Sequence, residues 1–285
     1  MKRVAIQGIE GSYHEQAARE YFGGETIEIV ACETFPELFR RMADDPSLLA
    51  VVAIENTIAG SLLPNYDLLC RSELEIIGEH KLHISHCLAA LEGETLDTIE
   101  EINSHPIALR QCEDFLSTLP HVKVVEKGDT ASAARWIAQT NQRHHAAICS
   151  RIAARQYGLQ ILASAIETNK RNFTRFLVLA DRWYAESIQT NKTINKSSLV
   201  FSLPHTEGSL SKVLTILSFY GINLTKIQSL PIIGREWEYQ FHVDLTFTDR
   251  IRFQQSIDAI RPLTKDLKIF GQYPEYSAQV TSSKQ

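Results

Sequence analysis

The residues of this 285-residue chain with the most chemistry in them stand at strand mouths and helix starts. Residues 171–176 read RNFTRF and run into the apolar stretch LVLA, so an asparagine, a threonine and an arginine, with phenylalanines between them, guard the entry to a buried strand. Glu55-Asn56-Thr57 follows LAVVAI, Ser104-His105-Pro106 leads to Arg110-Gln111-Cys112, and Gly128-Asp129-Thr130 precedes a helical pattern. Ligands of open α/β sheets settle outside the carboxyl ends of the strands, so amide, hydroxyl and guanidinium groups at these places can line one crevice. Singly, each has a plainer reading: Asp129 or Thr130 as a helix N-cap, Asn56 as an Asx turn.

Other marks carry less. The turn GIEGS between KRVAIQG and YHEQAAREYF puts backbone N–H groups at a helix start where an anion can sit, yet Ser12 and Glu15 equally form a capping box. Thr34-Phe35-Pro36-Glu37 repeats that box without glycines and reads as helix punctuation. His80, His83 and His86 would share a helix face, but IIGEHKLHISHCLAAL is strand-like, and a period of two sends His83 opposite the other two; a structural or solvent role is expected rather than a metal site. His144-His145 point apart for the same reason. No G-x-S-x-G elbow is present. Five scattered cysteines, never spaced C-x-x-C, suggest neither a disulfide framework nor a zinc site and fit a reducing cytoplasm. A net charge of −5 and a pI near 6.1 argue against a nucleic-acid or acidic-lipid surface. No apolar run approaches the roughly 18 residues of a membrane span, and the start is too short for a signal peptide, so a soluble protein without membrane partners is expected.

The elements that must hold these residues divide by composition. Up to about Asp181, β-rich runs (VAIQ, IEIVA, LAVVAI, VKVVE, AAIC, FLVLA) alternate with helical patterns, which predicts α/β layers. SIQTNKTINKSS reads as an exposed connection. Beyond it the order is strand, helix, strand, strand, helix, strand, a βαββαβ plan of ferredoxin-like type. The expected organisation is a catalytic region of residues 1–182, a linker 183–197, a small α+β domain 198–275 and a loose tail 276–285.

The chain resembles the monofunctional prephenate dehydratases, through GIEGSYHEQAA, AIENTIAGSLLPNYDLL, SHPIALRQC, DTASAARWIA, AAICSRIAARQYGLQIL and NFTRFLVL in collinear order. The resemblance implies a two-lobed, periplasmic-binding-protein-like catalytic unit with the substrate between the lobes, then a ferredoxin-like ACT domain. With a strand already starting at Val4, no chorismate mutase module is expected ahead of it. The implied reaction is loss of carbon dioxide and water from prephenate to leave phenylpyruvate in phenylalanine biosynthesis. Aromatisation drives it and electrons flow from the breaking bond to the departing hydroxyl, so no cofactor or metal is called for. By resemblance Thr174 is the catalytic residue, assisting the leaving hydroxyl by a hydrogen bond, and Arg175 can hold a carboxylate bidentately. Phe176, Asn56, Ser104, Gln111 and Thr130 complete the expected substrate set. In a regular strand Thr174 and Arg175 would face opposite ways, so a loop or bulge is expected at Thr174.

The ACT resemblance implies L-phenylalanine as an effector bound between paired domains, hence a homodimer or homotetramer. Gly208, Ser209, Leu210, Asn223, Leu224, Gln228 and Ser229 are the expected regulatory-ligand residues. Here the chain departs from the family: G-A-L reads Gly208-Ser209-Leu210 and E-S-R-P reads Gln228-Ser229-Leu230-Pro231, without the acid and the base. Near the start, Ile9 stands for a usual proline and His14 for a small hydroxyl residue. The alternatives are an arogenate dehydratase, whose substrate has an amino group in place of the keto oxygen; a non-catalytic amino-acid sensor, disfavoured by the intact NFTRF; and a transported-solute receptor, disfavoured by the missing export signal.

Overall fold

Strands joined by crossover helices pair in parallel, and VAIQ does so with both IEIVA and LAVVAI, whereas AAIC pairs antiparallel with CLAA. The computed structural model describes residues 1–188, 193–232, 234 and 238–277. The chain begins β1 (Lys2–Gln7), α1 (Tyr13–Phe22), β2 (Ile27–Cys32), α2 (Phe35–Asp44), β3 (Leu49–Asn56), β4 (Gly60–Ser61), α3 (Leu63–Arg71) and β5 (Glu75–His83). It continues through β6 (Cys87–Ala90), β7 (Glu101–Ser104), α4 (Pro106–Gln111), α5 (Glu113–Ser117), β8 (Lys123–Glu126), α6 (Thr130–Thr140), β9 (His145–Cys149), α7 (Arg151–Gln156) and β10 (Gln160–Ser164). The last part is β11 (Phe173–Ala180), α8 (Arg182–Ile188), β12 (Lys196–Ser202), α9 (Ser209–Phe219), β13 (Asn223–Pro231), β14 (Tyr239–Thr246), α10 (Arg250–Ile260) and β15 (Lys265–Tyr273). Two units result, residues 1–62 with 80–176, and residues 63–79 with 177–285.

The first unit contains β1 paired in parallel with both β2 and β3. It also contains a five-stranded sheet in the order β10-β6-β9-β7-β8. The run IIGEHKLHISHCLAAL is two strands rather than one: β5 stops at His83 and β6 begins at Cys87, leaving Ile84, Ser85 and His86 in the connection. Small residues set the packing of α6. Ala131, Ala133 and Ala134 share a core with Cys87, Ala89, Ala147 and Cys149, so the helix lies close on β6 and β9 with its first residue at the sheet's edge.

Gly11 ties the start of α1 to α7. Its φ of +88° is a left-handed conformation that favours glycine, and a Cβ there would stand 2.9 Å from the Ala153 Cα. Ser150 Oγ donates to the Gly11 carbonyl at 2.7 Å and accepts from Ala153 N at 2.9 Å, while Gly11 N donates to Glu15 Oε2 at 2.6 Å.

The second unit realises the βαββαβ plan as an antiparallel sheet in the order β13-β14-β12-β15. Leu199, Phe201, Val243 and Leu245 face α9 and α10, meeting Val213, Leu217, Phe253 and Ile257 in one core. Lys196 and Glu79 form a buried ion pair at 2.9 and 3.0 Å, and the Ser198 hydroxyl joins Asp244 and Tyr273. α8 occupies the first part of the segment expected as linker, and β12 starts at Lys196. Residues 189–192 of that segment and 278–285 of the expected tail lie outside the described residues.

Gly11→Ala should destabilise the chain by about 2 kcal/mol or more, through both overpacking and the unfavourable φ. Denaturant unfolding of the purified variant measures it, and an unchanged midpoint would refute the tight packing at this turn.

Candidate functional site

The strand ends and helix starts singled out above meet around a cavity of about 250 Å³ in the first unit. Gln7 and Asn56 come from the ends of β1 and β3, Ser12, Tyr13 and His14 from the start of α1, and Gly128, Asp129 and Thr130 from the start of α6. His105, Ile107 and Gln111 enter with α4, Ile84 and His86 with the connection between β5 and β6, and Thr174 and Phe176 with β11.

One hydrogen-bond chain orders the polar wall. Asn56 Oδ1 accepts from two backbone groups, Ile58 N and Ala59 N, both at 2.9 Å. Its Nδ2 must therefore be the donor that reaches Thr174 Oγ1 at 2.9 Å and Asn172 Oδ1 at 2.8 Å. Asn172 Nδ2 donates in turn to Gln111 Oε1 at 3.1 Å. The Thr174 oxygen thus receives a hydrogen bond, and among the described residues nothing accepts from its own hydroxyl. That hydrogen is left for a ligand.

The anion-binding capacity lies in helix starts. Ser12 caps α1 by accepting only from Glu15 N, which leaves the N–H groups of Tyr13 and His14 at the cavity without a partner among the described residues. Asp129 caps α6 through Ala131 N and Ser132 N, so Thr130 offers both its N–H and its hydroxyl. Among the described residues, no lysine or arginine side chain lines the cavity. The histidines do not replace one: burial pushes His14 down to about 4 and lowers His86 and His105 below the ordinary imidazole value.

Of the expected substrate residues, Asn56, Gln111, Thr130, Thr174 and Phe176 line this cavity. Arg175 does not. Thr174 is the second residue of β11 rather than part of a loop, so strand alternation turns Arg175 away, only 8 % exposed, with its Nη1 3.9 Å from Glu55 Oε2. Ser104 is also outside, fully buried, with its Oγ donating to the Ile148 carbonyl at 2.6 Å and so joining β7 to β9. Tyr13, His14, His86 and His105 are wall residues that the expected set omits. His86 had looked like a structural member of a strand. The break after His83 turns it inward, and no group of three His, Cys, Asp or Glu among the described residues is placed to hold a metal ion.

The expected regulatory residues lie in the second unit. Gly208 precedes α9 in a left-handed conformation with φ of 73°, and Ser209 Oγ bonds Thr206 and the Pro204 carbonyl. Leu210 and Leu224 pack against the helix core. Asn223, Gln228 and Ser229 are on β13, the edge strand, where Asn223 Nδ2 donates to Thr246 Oγ1 and Gln228 Nε2 to the Ser229 carbonyl.

An α/β pocket walled by neutral donors at helix starts is the site of a protein that handles a small anionic molecule. The family model for prephenate dehydratase matches residues 4–183, and the chain belongs to the prephenate dehydratase family. It is 38% identical over 291 residues to arogenate dehydratase 2 of Petunia hybrida, covering 96% of this chain and 72% of that one. Among solved structures, the prephenate dehydratase of Arthrobacter aurescens in complex with L-Phe is 26% identical, with a TM-score of 0.84 over 95% of this chain and 89% of that one. A protein described as a novel type of quorum quenching acylase is 29% identical, with a TM-score of 0.85 over 96% and 98% of the two chains.

The buried histidines make stability pH-dependent. The folded pKa of His14 lies below its unfolded value, so the unfolded chain binds the extra proton first, and stability present above about pH 6.5 is lost as pH falls toward 4. Melting temperature against pH should show this decline, and His14→Gln should flatten it; an equal slope in the variant would remove His14 from the account.

Proposed function

We propose that the chain removes carbon dioxide and water from prephenate to give phenylpyruvate, with Thr174 assisting departure of the ring hydroxyl. The observation that carries this is the direction of the Asn56–Thr174 hydrogen bond: the amide donates to the threonine oxygen, so the hydroxyl hydrogen points to a ligand. As the ring carboxylate leaves, its bonding electrons pass through the diene, the carbon–oxygen bond at the opposite ring carbon breaks, and the departing oxygen carries the growing charge. A hydrogen bond already aimed at that oxygen strengthens as the charge grows, which lowers the barrier. Donation to Thr174 Oγ1 by Asn56 polarises the hydroxyl and makes it the better donor.

The remaining wall fits the rest of the substrate. Helix starts at Tyr13, His14 and Thr130 and the Gln111 amide suit two carboxylates and a keto oxygen, all acceptors. This favours prephenate over arogenate, whose ammonium would find one carboxylate, Asp129, already accepting two backbone N–H groups. Amide hydrolysis of the kind named for the acylase needs a nucleophile joined to a base. Among the described residues, no histidine of this cavity is hydrogen-bonded to a serine, threonine or cysteine side chain.

The βαββαβ unit supports reading residues 198–275 as an ACT-type regulatory domain, with L-phenylalanine as effector between two copies, in a homodimer or homotetramer. The L-Phe complex of the Arthrobacter relative is in keeping with this. Gln228 and Leu230 on β13 leave the effector without an ion pair at that place, so contacts come from backbone and amide.

The purified chain should release phenylpyruvate from prephenate, more slowly when phenylalanine is added, and should release little phenylalanine from arogenate. Product from arogenate alone would overturn the substrate assignment. Thr174→Val keeps the side-chain shape and should lower turnover by about 100-fold or more without unfolding the protein; near-normal turnover removes Thr174 from the mechanism. Asn56→Asp places an acceptor where the donor stood, captures the Thr174 hydrogen, and should bring turnover to within about tenfold of the valine variant.

A further inference from the structure

We propose that His86 is a positioning residue: its ring holds the Gln111 side chain so that the amide nitrogen, not the carbonyl, faces the ligand. The inference rests on the reading of this cavity as the substrate site, and the argument is one of hydrogen-bond direction. Gln111 Oε1 stands 3.1 Å from Asn172 Nδ2 and 3.0 Å from His86 Nε2. The first of these atoms is a donor because the chain behind it is anchored: two backbone N–H groups fix Asn56 Oδ1, Asn56 Nδ2 fixes Asn172 Oδ1, and Asn172 Nδ2 is left to donate. Turning the Gln111 amide over would set two NH2 groups against each other, so Oε1 is the buried end.

An acceptor at that place requires a proton on His86 Nε2. Neutral imidazole then has its lone pair on Nδ1, and the Tyr13 hydroxyl, which has both this nitrogen at 2.8 Å and the Ser85 carbonyl at 2.9 Å as acceptors, turns its one hydrogen to the ring. Tyr13 keeps its proton, because burial raises its pKa well above the ordinary phenol value. The ring itself is held at 2% exposure, with its backbone N donating to Glu167 Oε2 at 2.8 Å. Two donors therefore converge on Gln111 Oε1, and Gln111 Nε2 has no acceptor among the described residues. Its two hydrogens join the Thr174 hydroxyl as donors to the ligand. Nothing in the reaction requires His86 to touch substrate.

Nitrogen-15 NMR of histidine-labelled protein reads the ring state without any substrate. The Nε2–H tautomer is expected for His86, and a dominant Nδ1–H tautomer overturns the proposal even if the enzyme is active. The kinetic arm is a double-mutant cycle on prephenate. His86→Leu should lower kcat/KM by about tenfold or more, and His86→Gln, whose amide can put an N–H where Nε2 stood, should restore most of the loss. In the Gln111→Ala background His86→Leu should cost less than about twofold, because the group it positions has gone. Equal losses in both backgrounds, or no rescue by glutamine, would overturn the assignment. If His86→Leu fails to fold, Tyr13→Phe serves in the same cycle, since it removes the hydroxyl that meets His86 Nδ1. A Gln111→Ala enzyme of full activity would instead overturn the substrate role given to Gln111, which the tautomer measurement keeps separate from the role of His86.

Discussion

Two backbone N–H groups held by one side-chain oxygen decide the polarity of this site. Asn56 ends β3, and the chain turns so that Ile58 N and Ala59 N both point at its carbonyl. An amide whose oxygen is committed can only donate from its nitrogen, and each neighbour inherits the direction: Thr174 receives, Asn172 receives and passes on, Gln111 receives at its oxygen. Aspartate would accept at every one of these points and reverse them. The local geometry of an Asx turn thus determines which way the Thr174 hydroxyl points, 118 residues further along the chain.

Much of this arrangement was legible in the sequence, for reasons that separate cleanly. The strands LAVVAI and FLVLA are apolar on both faces and buried along their length, as central strands require, and with VAIQ and IEIVA they form where the pattern puts them. Thr174, Asn56, Gln111 and Thr130 stand at strand or helix ends, where the fold exposes side chains to a crevice. Arg175 and Ser104 have the same location and the right chemistry, yet point the wrong way, because neighbours on a strand face opposite sides and only the register of β11 and β7 decides which residue faces in. His86 escaped because its direction depends on where β5 ends. Nothing in IIGEHKLHISHCLAAL announces the break: it contains neither proline nor the glycine that would mark it at the right place.

In the second unit the sequence pattern and the fold agree because alternation along β12 sends Leu199 and Phe201 to the helix core. Leu199 and Phe201 alternate with Ser198 and Val200 along β12, and the first pair meets the helix core while Ser198 joins Asp244 and Tyr273 on the other face. A face carrying such a cluster together with the Lys196–Glu79 pair tolerates little rearrangement, since each buried charge or hydroxyl depends on its partner to offset desolvation. The edge strand β13 is different. Its residues alternate in exposure and, among the described strands, it pairs with β14 alone, so adaptation to a ligand or a second copy can be concentrated there while β12 and β14 hold the fold.

Among the described residues no lysine or arginine lines the cavity, and this is the feature that fits the proposed chemistry best. A guanidinium or ammonium against the ring carboxylate would stabilise the very charge that must be dispersed when carbon dioxide leaves, binding the ground state more tightly than the transition state. Helix starts and amides bind an anion through several weak, fixed dipoles, which can be spread over both carboxylates and do not follow the departing one. Burial serves the same end at the histidines. By lowering the pKa of His14, His86 and His105 it disfavours a full positive charge on the rings that line the cavity. In the proposed reaction such a site sets the Thr174 hydroxyl against a charge that appears only as the carbon–oxygen bond breaks.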